Sequence, residues 1–205
     1  DFAITERDAV FWIGPVVFGA ESSNPNPTIP FHWDPSGPCR VGVLPLDGFH
    51  VSRSLAKGLR SGRFRVTTDT AFEAVVEACA DREETWISQR IQSLYVRLFQ
   101  LGHAHSVEVW EGPRLVGGVY GVALGAAFFG ESMFSRATDA SKVALAHAMH
   151  RLRAGGFRLF DTQFLTPHLA SLGGREVSRA DYHRLLADAL NHAASFSPPD
   201  YPPSS

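Results

Sequence analysis

The spacing of apolar positions changes several times along this chain, and each change marks an element. Phe72, Val75, Val76 and Cys79 recur as one face of a helix, which Asp69 is placed to cap. Ile91, Leu94, Tyr95 and Leu98 repeat that spacing and predict a helix over 88–101. Between 105 and 132 the pattern switches to short apolar runs cut by Gly-rich turns. His105 to Glu111, Arg114 to Leu124 and Ala126 to Ser132 therefore read as three strands of an antiparallel meander. Asp139 opens a long helix to Arg153, Gly155-Gly156 ends it, and 157–163 is the next strand. A short helix from Pro167 to Leu172, a segment near 174–178 and a helix from Arg179 to Ala194 complete this part.

Upstream, Thr5 can cap a short helix through Trp12, which Pro15 stops, and residues 19–39 form a loop rich in Ser, Asn, Pro and Gly. Residues 40–49 read as extended. Ser52 begins a helix from Arg53 to Arg60, closed by Ser61-Gly62, and 63–67 is a strand. Taken alone, this periodicity supports an α+β fold. The expected division is a small N-terminal subdomain (1–62), a main domain (63–195) and a Pro/Ser-rich, disordered tail (196–205).

At 205 residues with 44 % apolar positions, the chain can bury a sizeable core. A net charge of −2 carries no global signal for nucleic acid, so any RNA contact must come from a local patch. Arg53, Lys57, Arg60, Arg63 and Arg65 form the only concentrated positive region, with no acid between Asp47 and Asp69. Such a run can be a solvated face or a phosphate cradle. Cys39 and Cys79 match no metal or redox spacing and read as free thiols. There is no run of eighteen apolar residues, no initiator Met and no signal-peptide pattern. The expectation is a cytoplasmic chain with no membrane partner.

Glu131 sits among Phe128, Phe129, Met133 and Phe134, where an unpaired carboxylate is costly to bury. It calls for a cation, either a fixed Arg or Lys or an amine that arrives with a ligand. Asp161 and Gln163 lie two apart in an apolar run, so on a regular strand both point to one face. They can be part of a site or a polar pair satisfying backbone at a strand end. Apolar walls beside these groups suit a substrate with an apolar side chain and an amino group. His103 and His105 lack a third metal ligand, His147 and His150 lack a carboxylate partner, and Ser132 and Ser135 have no base nearby in sequence. No metal is expected.

Several blocks carry a family resemblance. They are His50 to Leu55, Phe64 to Thr67, Thr85-Trp86-Ile87, Leu101 to Trp110, Leu115 to Gly125, Phe129 to Arg136, Asp139 to Lys142, Asp161-Thr162-Gln163 and Ser171-Leu172-Gly173. From about Leu46 to Leu186 the chain resembles the bacterial leucyl/phenylalanyl-tRNA–protein transferases. The resemblance implies an acetyltransferase-like (GNAT-like) domain, a central and mostly antiparallel sheet flanked by helices, with a small N-terminal subdomain. The predicted order of three antiparallel strands, a helix and a further strand agrees.

The implied reaction moves Leu, Phe or Met from the 3′-adenosine of aminoacyl-tRNA to the N-terminal Arg or Lys of an acceptor protein, marking it for N-degron proteolysis. The ester is already activated, so no cofactor is expected, and the enzyme is expected to act as a monomer. By resemblance Glu131 holds the amino group of the aminoacyl moiety, Gln163 positions the attacking amine, and Asp161 orients Gln163 or attracts the cation. Val119, Phe128, Met133, Leu145 and Phe160 match the side-chain pocket, and Trp86 matches a tryptophan stacked on the adenosine. The five basic residues would take tRNA phosphates.

The resemblance weakens near the start. Val17 to Ser22 replace a family segment with a Trp that packs on the adenosine, and His32-Trp33 stands where paired tryptophans are expected. One wall of that subsite is therefore expected to differ. A GNAT-like enzyme with another activated donor, such as coenzyme A, is one alternative. It is disfavoured because Asp139 occupies a position where a pyrophosphate loop needs glycine, and Asp139 reads better as a helix cap. A non-catalytic binder of aminoacyl-tRNA or N-degrons is the other.

Overall fold

The computed structural model describes residues 40–83 and 85–197. The expected helix before Pro15, the loop over 19–39, the Val17–Ser22 and His32-Trp33 positions, and the tail from 198 lie outside the described residues. A compact unit begins at Arg40. Its seven strands are β1 (Arg40–Val43), β2 (Arg65–Thr68), β3 (Ala104–Glu111), β4 (Arg114–Leu124), β5 (Ala127–Ser135), β6 (Leu159–Gln163) and β7 (Arg175–Ser178). The helices are α1 (Arg53–Arg60), α2 (Phe72–Ala80), α3 (Gln89–Gln100), α4 (Ala140–Ala154), α5 (Pro167–Ser171) and α6 (Arg179–Leu190).

The strands form one sheet in the order β2-β3-β4-β5-β6-β1-β7. Every neighbouring pair is antiparallel except β5 and β6, which are parallel and joined by α4 as their crossover. This is the meander–helix–strand order expected from the sequence, in an α+β domain with a mostly antiparallel sheet. Residues 40–62, expected in the small subdomain, supply β1 between β6 and β7, and α1, which packs on α4.

Local chemistry accounts for most helix starts. Ser52, Ser88, Thr166 and Ser178 each turn a side-chain oxygen onto an amide of the first turn, those of Leu55, Ile91, Leu169 and Asp181. The two Asp caps read from sequence are different. Asp69 does not cap α2, whose cap position is Ala71; its carboxylate instead accepts from the Ser106 amide and pairs with His105 Nδ1, both at 2.8 Å. Asp139 does occupy the cap position of α4, but in the left-handed conformation (φ 66°), and its carboxylate pairs with Lys142 at 2.8 Å rather than capping.

Helix α4 covers one face of the sheet, while α2 and α3 cover the other. Gly117 lets α4 approach, because a Cβ there would lie 2.6 Å from that of Ala140. The α4 face holds a core that includes Val107, Val119, Phe128, Leu145, Leu152 and Phe160. The tail expected to be disordered from Phe196 instead begins with a buried residue. Phe196 stacks between His105 (4.4 Å) and Phe128 (5.5 Å), and its carbonyl accepts from Arg151 at 3.0 Å.

Two irregularities break the regular ladder near the end of β5. Tyr120 pairs with Ser132 and Gly121 with Gly130, so Glu131 is the extra residue of a β-bulge. Bulges re-aim side chains and recur beside functional sites. In addition, the β5–β6 ladder runs only from Ala127/Leu159 to Phe129/Asp161, leaving Glu131 and Gln163 beyond its last pair.

Candidate active site

The bulge delivers Glu131 to the α2/α3 face of the sheet. There Tyr95 of α3 donates its hydroxyl to Oε2 at 2.7 Å. Oε1 is buried and has no hydrogen-bond partner, and no Arg or Lys pairs with Glu131 among the described residues. Burial pushes the carboxyl up to about 8; the Tyr95 bond opposes this and the Asp161 carboxylate adds to it. A fixed ion pair, the plainest structural role for this acid, is not what the fold provides. It provides an acceptor with one oxygen anchored and the other waiting.

Asp161 is 2 % exposed and fully engaged. Tyr182 of α6 donates to Oδ2 at 2.5 Å, and the backbone amide of Gln163 donates to Oδ1 at 2.6 Å. Burial raises its pKa and both hydrogen bonds lower it. Gln163 has φ 59°, a conformation that costs a non-glycine residue on the order of 1 kcal/mol. The same-face alternation expected of a regular strand therefore does not extend to Gln163. The Asp161 carboxylate holds the Gln163 main chain in this turn at the point where β5 and β6 part.

The five residues matched to a side-chain pocket do converge. Val119, Phe128, Leu145 and Phe160 are buried in one cluster, and Met133 packs against it partly buried. Phe128 and Phe160 meet edge to face at 5.4 Å. They lie on the α4 face, whereas Phe129, Asp161 and Tyr120 alternate to the other. Carboxylates and apolar cluster thus stand on opposite faces of the same strands, next to the end of the β5–β6 ladder.

Trp86 is half-buried between α2 and α3 and touches Tyr95 edge to face at 6.4 Å. Tyr95 thereby links Trp86 directly to Glu131. Sequence reading placed Tyr95 simply on an apolar helix face and passed over Tyr120 and Tyr182. All three are apolar by position, and only the strand or helix facing each hydroxyl shows its polar use.

The basic run is less uniform in space than in sequence. Arg53, Lys57 and Arg60 are exposed along α1 and have no ion pair among the described residues. Arg63 is tied to Glu111 at 2.8 Å and lies over the Phe64 ring, and Arg65 lies over Trp110. The acid that meets Arg63 comes from β3, far away in sequence.

The family model described as leucyl/phenylalanyl-tRNA protein transferase matches residues 43–187. The chain belongs to this family. A leucyl/phenylalanyl-tRNA–protein transferase of Cereibacter sphaeroides (strain ATCC 17025) is 62 % identical over 187 residues, which is 91 % of this chain and 86 % of that protein. One from Ruegeria pomeroyi is 62 % identical over 160 residues, 78 % of this chain and 76 % of that protein. Among solved structures, a GCN5-related N-acetyltransferase-like protein from Streptococcus suis superposes with a TM-score of 0.42 at 16 % identity, covering 68 % of this chain and 57 % of that one. Membership of the family rests on the family model and the sequence relatives, not on that superposition.

As a leucyl/phenylalanyl-tRNA–protein transferase relative, the chain is a transferase enzyme. The family match spans Trp86, Glu131, Asp161, Gln163 and the five apolar positions, all within 43–187. It ends before Phe196, whose ring packs on Phe128 from outside the matched segment.

Proposed function

We propose that this enzyme transfers Leu, Phe or Met from the 3′ end of aminoacyl-tRNA to the N-terminal Arg or Lys of acceptor proteins. The observation that carries the reading is Glu131 Oε1, a buried carboxylate oxygen without a partner, across the sheet from an apolar cluster and next to the end of the β5–β6 ladder. An α-ammonium supplies the missing donor and charge, and a hydrocarbon side chain matches Val119, Phe128, Met133, Leu145 and Phe160. A pocket that reads only hydrocarbon discriminates by size, at about 1–3 kcal/mol per methylene. Trp86 offers a face for the terminal adenosine, where stacking is worth about 1–3 kcal/mol. Arg53, Lys57 and Arg60 give an exposed stripe for phosphates, with Arg63 and Arg65 at its edge.

In this reaction the acceptor's neutral α-amine attacks the ester carbonyl carbon. A C–N bond forms, the bond to the ribose 3′-oxygen breaks, and that oxygen takes up the proton the amine loses. Gln163 positions the attacking nitrogen, since an amide is too weak a base to remove its proton. Asp161 keeps Gln163 in place through the backbone. Bringing two substrates together in this way contributes mainly through proximity and orientation. The enzyme acts as a cytoplasmic monomer, and the product is an N-degron. No helix among the described residues is long and apolar enough to cross a membrane.

The test is transfer of labelled Phe from Phe-tRNA to a protein with N-terminal Arg, beside the same protein with N-terminal Gly. Label on the Arg protein alone supports the reading. Donor binding with no transfer would mean a non-catalytic binder, and acetyl-CoA-dependent modification would mean a different acyltransferase.

A further inference from the structure

Among the described residues, two buried side-chain oxygens on the α2/α3 face lack a partner, and the β-bulge puts both on that one face around Tyr95. One is Glu131 Oε1 and the other is the Tyr120 hydroxyl. Glu131 is the extra residue opposite the step from Tyr120 to Gly121, which turns its side chain to the face Tyr120 occupies. The two are linked through one ring: Tyr95 packs on Tyr120 at 5.0 Å and donates to Glu131 Oε2 at 2.7 Å. The Glu131 carboxylate is also close enough to push the Tyr120 phenol further above its ordinary range, after burial itself. A phenol normally finds a partner when buried, and an orphaned one costs about 1–3 kcal/mol.

We propose that Tyr120 is a second side chain that grips the α-amine of the aminoacyl donor. This rests on the amine-binding role proposed for Glu131. An ammonium has three N–H donors. Glu131 Oε1 accepts one and the phenolic oxygen of Tyr120 accepts another. A neutral phenol suits this place, because it adds an acceptor without a second negative charge. Tyr95 fixes the other carboxylate oxygen, so the two free acceptors stand in a set geometry before the donor arrives. The competing occupant is an ordered water between the same two oxygens, which would meet the minimum of two polar partners.

The experiment compares Phe-tRNA with 3-phenylpropionyl-tRNA, which keeps the ring, ester and adenosine but has no amine. Dissociation constants for both are measured on the wild type, Tyr120→Phe and Glu131→Gln, with kcat/KM for Phe-tRNA and thermal midpoints alongside. Tyr120→Phe is expected to weaken Phe-tRNA roughly tenfold or more and leave 3-phenylpropionyl-tRNA unchanged. Its midpoint should hold or rise, because an orphaned hydroxyl has gone. Equal losses for both donors, as a bridging water or a packing role would give, overturn the proposal, and so does no loss for either. If Glu131→Gln is selective for the amine while Tyr120→Phe is not, the role of Glu131 stands and that of Tyr120 falls. If neither is selective, both fall.

Discussion

Tyr182 donates its hydroxyl to Asp161 Oδ2 at 2.5 Å, tying α6 to the end of β6. Asp161 Oδ1 meanwhile accepts the amide of Gln163 at 2.6 Å. The carboxylate is thus held from behind while it holds a left-handed turn in front. In the proposed reaction Tyr182 acts through Asp161 and is a positioning residue.

Tyr182→Phe should therefore lower kcat about tenfold or more and change KM for the donor little. The lost hydrogen bond favours the charged form of Asp161, so removing it raises the Asp161 pKa further. The acid limb of the kcat–pH profile should move to higher pH. An unmoved limb, with kcat close to wild type, would remove Asp161 and Tyr182 from the mechanism.

Glu131 makes a separate statement about stability. Its carboxyl is raised from 4.5 to about 8 in the folded chain. The folded state then binds the proton more tightly than the unfolded one. The contribution is full below about 4.5 and is lost as pH rises toward about 8. The urea midpoint of the free wild type should fall across this window, and Glu131→Gln should flatten the fall. In the same variant KM for aminoacyl-tRNA should rise about tenfold or more, with the fold intact. Wild-type kinetics would end the assignment.

Arg53 and Arg60 are exposed on α1 without ion pairs among the described residues, which leaves them available for phosphates. Arg53→Ala with Arg60→Ala should reduce the slope of log K against log salt for tRNA binding by roughly 1 to 2. Arg63→Ala should change it less, because Glu111 already neutralises Arg63. An unchanged slope in the double variant would place the RNA path elsewhere.

Phe196 joins the core from beyond the main fold. It is 3 % exposed and stacks on both His105 and Phe128. Phe196→Ala should cost about 3–5 kcal/mol in denaturant unfolding. Because its ring backs Phe128 of the proposed side-chain pocket, the variant should also lose discrimination between Phe and smaller donors. A loss below about 1 kcal/mol would show that the tail is not part of the fold.

Some of this was legible in the chain because its causes are local. Helix and strand periods placed the meander and the helices, and Ser52 and Ser88 marked their helix starts through a side chain three residues from its target. The isolated carboxylate at Glu131 was visible as an acid in an apolar run, and the positions proposed for the side-chain pocket came from the family resemblance. Asp69 was misread because its partners, His105 and the Ser106 amide, are more than thirty residues away. The charge of Arg63 looked free because Glu111 is 48 positions distant. Phe196 looked like the start of a polar tail because nothing near it in sequence needs its ring.

Sequence alone determined which residues carry charge, where the chain must turn, and which family the blocks match, since each depends on residue type and short-range spacing. Tertiary structure decided which polar atoms are satisfied. A hydroxyl on a helix or strand has no assigned partner until another element arrives beside it. Tyr95 and Tyr182 found carboxylates; the Tyr120 hydroxyl and one oxygen of Glu131 found no hydrogen-bond partner among the described residues, because the groups packed against them are rings and apolar side chains.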